Sequence, residues 1–266
     1  MDEIAELVQM EAQYYEVSRE RLGDAGDLVQ DLVELYRTIG DMIAESAVKP
    51  KDEIVAGGMF LYSCRYQLVL AALNVMRGHL NDSHFFTRKA IELCAFANRV
   101  RSNPTLAMKW LQAWKTQTSY KEFRKGFATR DLFPPDHPLL ARLFIRYDLC
   151  SKLIHSSVYS LSGQMQTEHK EELFEMTFSY SQLDDSHPSE PIGSWLFLAD
   201  THFGILQVFE EVLAEVIAHD KTKWDVRRNA FDGKLTFQKA KWHTVLQEAT
   251  TTIEPELEKT SAAAED

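Results

Sequence analysis

Apolar side chains recur at three- and four-residue intervals along most of the chain, a spacing that places them on one face of a helix. The pattern begins with two N-terminal amphipathic helices, separated by the glycines near residues 23–26. Their apolar positions include Leu28, Leu32, Leu35, Ile39 and Met42. Because proline cannot continue a helix interior, Pro50 ends this unit. We therefore take residues 1–50 as N-terminal helices and residues 51–250 as a helical core.

The core region predicts further helices with recognisable starts and stops. The run IVAGGMFLYSCRYQLVLAALNVMRGHL carries only two charged residues, Arg65 and Arg77, and predicts a central core helix. The next helix is expected to begin at a capping residue among 81–83 and to stop before Pro104. The proline-rich loop FPPDHP then leads into a helix from about residue 138 to residue 158. Another long helix is predicted over residues 193–219, followed by a short one within 222–252.

One segment alternates apolar and polar residues with a period of two, which is typical of a strand. Its apolar positions are Phe174, Met176, Phe178 and Tyr180. Such an element could be an extended arm, part of a small hairpin, or a strand paired across a dimer. The expected fold is thus an all-α helical bundle with one minor strand or hairpin element. A disordered acidic tail is expected over residues 251–266 because its composition lacks apolar material to bury.

Charge is unevenly distributed along the 266 residues, whose net charge is −11. Lys and Arg number 5 against 14 Asp and Glu in residues 1–60, 15 against 6 in residues 61–160, and 9 against 20 in the remainder. The basic middle block could bind a polyanion such as RNA. It could also be neutralised by the acidic flanks, which we favour because the total charge repels nucleic acid at long range.

Location and cofactor chemistry follow from what the sequence lacks. The N-terminus resembles no secretory signal, and no window approaches the roughly 18 uncharged apolar residues of a membrane helix, so a cytoplasmic protein without membrane contact is expected.

The three cysteines lie in apolar helical patterns without CxxC spacing and are expected to be buried thiols. The nine histidines contain no pair at the i, i+4 spacing of a helical metal site. No metal and no cofactor are predicted.

The helix near residue 150 carries a polar edge beside its apolar face. Asp148, Ser151 and His155 lie along this edge, where a carboxylate could orient the imidazole as an acid or base. Side chains two turns apart on one helix point in parallel, however, so these residues do not form a hydrolase triad. A structural polar rim of the core is the favoured interpretation.

A second polar pair, Arg88 and Glu92, lies four residues apart on a helix that is apolar on both sides. One interpretation is a half-buried ion pair that fixes helix register. The alternative is that both residues face Ser151 and His155 across a cleft and recognise a phosphate or another anion.

The succession of a helix bearing RKAIEL and a helix ending YDLCSKLIHSS resembles uncharacterised prokaryotic helical families similar to HEPN domains. The resemblance covers about residues 55–160 and rests on Arg88, Glu92, Tyr147, Ser151, His155 and Ser157. It implies chemistry at an RNA 2′-hydroxyl and phosphate, usually in a dimer. Active HEPN domains carry an Arg and a His four to six residues apart. Here the nearest upstream arginine to His155 is Arg146, whereas Lys152 is closer but is a different cation.

Two functional hypotheses follow. The favoured one is a non-enzymatic helical interaction module, possible in a prokaryotic defence or stress setting, with a protein, RNA or a second copy of the chain as partner. The alternative is a metal-independent ribonuclease with His155, Ser151 and Arg88 as catalytic residues. Its ligand-binding residues would be Glu92, Tyr147, Lys152 and Ser157.

Overall fold

The computed structural model describes residues 2–46, 51–128, 131–154, 165–170, 173–178 and 190–262. Within these ranges the chain is an all-α helical bundle with one small β-hairpin, which confirms the predicted fold class. The helices are α1 (Glu3–Leu22), α2 (Asp27–Glu45), α3 (Asp52–Met76), α4 (Leu80–Ser102), α5 (Thr105–Leu111), α6 (Gln117–Gly126), α7 (Pro138–Ile154), α8 (Glu190–Val212), α9 (Ala214–Ile217) and α10 (Lys221–Ala262). Short 3₁₀ segments, Gly23–Gly26 and Ala218–Asp220, precede α2 and α10.

Helices α3 and α4 form an antiparallel pair at the centre of the bundle. Gly78 allows their tight connection because its φ of 79° lies in the left-handed region that favours glycine. The amides of Gly78 and His79 bond back to the carbonyls of Val75 and Asn74, which closes the end of α3 in a Schellman arrangement. Helix α4 therefore begins at Leu80, slightly earlier than the capping residues at 81–83 predict.

The remaining helices surround this pair and share one hydrophobic core. Helices α7 and α8 pack against α4, whereas α2 and α8 pack against α3, and α10 lies on α2 and α8. Leu32 and Ile39 of α2 are fully buried in the same cluster as Phe60 of α3 and Leu206 of α8. Helix α2 is thus part of the common core.

Helix α3 is only partly covered by its neighbours. Its outer side carries an exposed apolar stripe at heptad spacing, made of Val55, Met59, Tyr62, Tyr66 and Val69. By length and composition, an 18-residue window of α3 could span a membrane. Half of that window is buried inside the protein, as is usual for the core helix of a bundle.

The period-two segment forms the second strand of an antiparallel hairpin as far as Phe178, and Tyr180 lies outside the described residues. Strand β1 (Met165–Lys170) pairs with β2 (Leu173–Phe178), with Met165 opposite Phe178 and Lys170 opposite Leu173. Of the three arrangements considered for this strand, the structure shows the hairpin.

The C-terminal helix differs most from the sequence-based expectation. Helix α10 has 42 residues and its backbone stays helical through Ala262, whereas a short helix and a disordered tail from residue 251 were expected. The tail was inferred from the lack of apolar residues to bury. Residues 251–262 contain three Glu, one Leu, one Lys and one Ala but also Pro255, so helix propensity alone does not explain the extension of α10.

Candidate functional site

The contact between α4 and α7 is organised by the guanidinium group of Arg88. Its Nε donates to Ser151 Oγ at 2.9 Å and one terminal nitrogen, Nη2, donates to the Tyr147 hydroxyl at 2.7 Å. The guanidinium carbon also lies 4.7 Å from the centroid of the Tyr147 ring, within range of a cation–π interaction. Three of the residues on which the HEPN resemblance rests are therefore in direct contact.

The partners of Arg88 are themselves held in place. Tyr147 is buried on the apolar face of α7, and its ring contacts those of Phe133 and Phe144. One turn later, Ser151 donates its hydroxyl proton to the Tyr147 carbonyl at 2.7 Å. The Ser151 oxygen is therefore left to accept from Arg88. Sequence spacing explains this arrangement, since residues four apart lie on one side of α7.

Arg88 makes no contact with a carboxylate anywhere in the described part of the chain. Glu92 bonds instead to Lys89, with 2.9 Å between its Oε2 and the lysine Nζ, so the predicted Arg88–Glu92 ion pair is wrong. The reason is that Arg88 turns toward α7, whereas Lys89 and Glu92 lie three residues apart on the outer side of α4. Among the described residues, the half-buried charge of Arg88 has only neutral partners.

One turn before Arg88, His84 extends the same contact surface. Its Nδ1 lies 3.9 Å from the Cys150 sulfur, and its ring packs edge-on against Phe197 of α8. Burial lowers the pKa of His84 to about 4, so the ring is neutral at physiological pH. Burial also raises the pKa of the Cys150 thiol to about 12, although Arg146 and Arg88 favour the thiolate. At pH 7 the imidazole is therefore neutral and the thiol protonated.

A second arginine, Arg146, lies on the other side of Cys150 and joins α7 to α8. It forms an ion pair with Asp200 and donates to Thr201 Oγ1 at 3.0 Å, while Lys239 of α10 lies 3.2 Å from Asp200. Burial alone would raise the pKa of Asp200, but its bonds with Arg146 and Lys239 outweigh this and lower it. Asp200 was not singled out from the sequence, because nothing local links it to a residue 54 positions away.

The other predicted site residues lie apart from this cluster or outside the described ranges. Lys152 pairs with Asp148 at 2.8 Å on the exposed side of α7, as the i, i+4 spacing favours. Asp148 is thus engaged by Lys152. His155 and Ser157, which follow Ile154 directly along the chain, lie outside the described residues. We refer to Arg88, Tyr147 and Ser151 as the Arg88 cluster.

The basic block at residues 61–160 is neutralised only in part. Arg77 lies near Glu11 at 3.8 Å, Arg101 near Glu211 at 3.6 Å, and Arg146 pairs with Asp200, each time with an acid from a flanking region. Such pairs are those expected from acidic helices packing around a basic centre. The cations of α5, α6 and the turn between them differ, because they form no ion pair with any residue that the structure describes: Lys109, Lys115, Lys121, Arg124 and Lys125.

No group of three His, Cys, Asp or Glu side chains within the described residues is placed to hold a metal ion. All three cysteines are buried free thiols, as predicted. No protein-family model, curated protein or solved structure matches the chain. The structure and sequence thus define an all-α bundle with a cationic interhelical cluster, and the resemblance to HEPN domains stays a prediction.

Proposed function

We propose that the protein is a helical interaction module and that its Arg88 cluster binds an anionic group, such as a phosphate, on its partner. One observation carries this proposal: a half-buried arginine has hydrogen-bond partners but, among the described residues, no carboxylate to balance its charge. An anion that binds to this guanidinium would form charge-assisted hydrogen bonds, which are about twice as strong as neutral ones.

The cluster also orients the guanidinium before any ligand arrives. The bonds to Ser151 and Tyr147 and the stacking on the Tyr147 ring restrict a side chain that is otherwise flexible. The remaining terminal nitrogen, Nη1, makes no hydrogen bond with any described residue and can donate to a ligand. An anion bound here would lose little additional side-chain entropy, which favours its affinity.

The first prediction concerns inorganic phosphate as a probe. Replacement Arg88→Gln should weaken phosphate binding about tenfold or more, because a hydrogen bond to a charged group contributes about 1.5–3 kcal/mol. Binding is measured by titration with sodium phosphate at constant ionic strength, followed by NMR of the backbone amides. Arg142→Gln is the matched control, since Arg142 is an exposed α7 arginine that also bonds to a neutral partner, Gln207. Equal phosphate affinity in both variants would contradict the proposal.

A second candidate function, a metal-independent ribonuclease, is favoured by the contact between Arg88 and Ser151. This contact brings a cation to Ser151, which precedes His155 by four residues in the sequence. In such a reaction His155 would accept the proton of the RNA 2′-hydroxyl, whose oxygen attacks the adjacent phosphorus. The 5′-oxygen would leave with a proton from solvent, and Arg88 would stabilise charge on the phosphoryl oxygens.

Replacement His155→Ala separates the two candidates in a single preparation. For an interaction module with His155 in the polar rim, we expect a loss of about 1–3 kcal/mol in the free energy of unfolding, because its partners lose a hydrogen bond. A general acid or base would instead leave stability unchanged while RNA cleavage falls roughly 100-fold. Urea unfolding and a cleavage assay on a single-stranded RNA measure both quantities. An equally stable variant that has lost a parental cleavage activity would favour the ribonuclease.

A further inference from the structure

The hairpin of α5 and α6 combines features that the Arg88 cluster does not use. Residues 103–128 contain five Lys and Arg against one Glu, in a chain whose net charge is −11. The hairpin leaves Trp114 at its tip 82% exposed and Tyr120 on α6 49% exposed. An exposed aromatic ring beside cations can contact a ligand through both the ring face and the neighbouring charges.

We propose that the α5–α6 hairpin is a binding surface for single-stranded nucleic acid. In this surface Trp114 and Tyr120 stack on bases, and Lys115, Lys121, Arg124 and Lys125 contact the phosphates. The inference goes beyond the proposed function, because it concerns a different surface and does not depend on anion binding at Arg88. Stacking on aromatic rings beside a cationic track is the usual means of holding single strands without reading their sequence.

The hairpin is a fixed element of the fold. Trp110 of α5 packs against Phe60 with ring centroids 4.3 Å apart, and Phe127 after α6 packs against Phe96 at 4.9 Å. The apolar anchors therefore face the core while the cations and Trp114 face outward. The surface is thus ordered before a ligand binds, which reduces the entropic cost of binding.

The tip of the hairpin is ordered by its own hydrogen bonds. The Trp114 indole N–H donates to the Leu111 carbonyl at 3.1 Å, which orients the ring although it is exposed. Thr116 caps α6 by accepting from the Ser119 amide at 3.0 Å. Lys115 lies between Trp114 and this cap, so a cation and an aromatic ring are adjacent at the tip.

The exposed side of α6 gathers the aromatic ring and the cations on one arc. At about 100° per residue, Tyr120, Arg124, Lys121 and Lys125 fall within an arc of about 140°, and Glu122 lies outside it. Lys121 and Lys125 are four residues apart and therefore about 6 Å apart along the helix axis. None of these cations pairs with an acid in the described ranges, so their charges are available to phosphates.

A membrane surface is less well matched by the same hairpin. Insertion into a bilayer interface requires an apolar helix face, rich in residues such as Leu and Phe, turned outward. Here Leu106 and Phe127 are buried and Phe123 packs against the core. The outward side is instead cationic, with two aromatic rings whose faces suit stacking on bases.

The experiment measures fluorescence anisotropy of labelled oligouridine and oligothymidine 12-mers with the full chain, from 50 to 200 mM salt. The parent should bind both, with affinity falling steeply as salt rises. Trp114→Ala should weaken binding roughly tenfold, since stacking contributes about 1–3 kcal/mol per base. The double replacement of Lys121 and Lys125 by Gln should make the plot of log affinity against log salt concentration less steep. Its slope should fall by about 0.7 for each phosphate that the lysines no longer neutralise.

Each replacement has a control in which the same type of side chain is removed from another exposed surface. Tyr66→Ala removes an exposed aromatic ring from α3, and the pair Lys221→Gln and Lys223→Gln removes two lysines of α10 that pair with acids. Both control proteins should bind like the parent. Equal binding by Trp114→Ala, or binding only to phosphatidylserine vesicles, would overturn the inference. So would the absence of oligonucleotide binding at 50 mM salt.

Discussion

Acidification from pH 7 to pH 4.5 should lower the free energy of unfolding by about 3 kcal/mol through His202 alone. His202 lies in α8 with no exposed surface, and its Nδ1 is 2.9 Å from the hydroxyl of the buried Tyr36. Its Nε2 has no hydrogen-bond partner among the described residues. Burial lowers the pKa of His202 to about 3, because a protonated ring would carry an unpaired charge in the core.

The sign of this effect follows from proton binding in the two states. Above pH 6.5, the ordinary pKa of histidine, His202 is neutral in both states and has no influence on the pH dependence. Below that value the unfolded chain takes up a proton that the folded protein rejects, which favours unfolding. The loss grows by about 1.4 kcal/mol per pH unit until the folded pKa near 3 is reached. His84 adds a similar loss down to its pKa of about 4, reduced by its partial exposure.

Urea unfolding of the parent and His202→Asn at pH 7 and pH 4.5 measures the contribution of His202. Asparagine places a polar atom where Nδ1 contacts Tyr36 but does not titrate in this range. The variant should be less stable at pH 7, yet its stability should fall by about 3 kcal/mol less than the parent's on acidification. His219→Asn serves as the control, because it makes the same replacement at an exposed position. An unaltered pH dependence in His202→Asn would show that His202 is not the group responsible.

The contacts of the Arg88 side chain show how far the spacing of residues in the sequence can predict a site. The sequence places Glu92 four residues from Arg88, and that spacing made an ion pair the natural expectation. In the fold, Arg88 instead contacts Tyr147 and Ser151, which are 59 and 63 positions away. Spacing identifies residues able to pair, but the packing of α4 against α7 determines which pair forms. The resemblance singled out Arg88, Tyr147 and Ser151, whereas their mutual contacts could be seen only in the fold.

Helix α3 illustrates a similar limit in the prediction of the core. Its run of apolar residues correctly indicated a central helix, because almost every position can be buried. The same uniformity removes the amphipathic signal that would tell which faces are covered. The sequence could not distinguish the buried side, with Phe60, Cys64 and Leu68, from the exposed stripe. Amphipathic α2 had no such ambiguity, and its five predicted apolar positions are all buried.

The pattern of the sequence also could not predict which Lys and Arg side chains are exposed without an acidic partner. The charge count located a basic block of 100 residues, but it could not separate cations that meet acidic flanks from those that face water. The fold makes that separation, since Arg101 reaches Glu211 across more than 100 positions while Lys121 meets no acid among the described residues. The sequence likewise does not predict that the Trp114 side chain at the tip is exposed, which only the fold shows.

The largest loss of stability is expected for Phe60→Ala, at about 3–5 kcal/mol in the free energy of unfolding. Phe60 is fully buried on α3 and contacts Trp110 of α5 and Phe96 of α4, with ring centroids 4.3 and 6.1 Å apart. Its removal leaves a cavity where three helices meet, and the two partner rings no longer pack against an aromatic side chain there. Urea unfolding at pH 7 measures the change, with near-ultraviolet circular dichroism reporting on the packing of Trp110.

Tyr66→Ala is the matched control, because it removes an aromatic ring of similar size from the same helix. Tyr66 is 61% exposed on the outer stripe of α3, so its loss should change the free energy of unfolding by less than about 1 kcal/mol. A cost of several kcal/mol for Tyr66→Ala would show that the stripe is covered in solution. Since only a second copy of the chain is present in a purified sample, stability that rises with protein concentration would then identify self-association through α3.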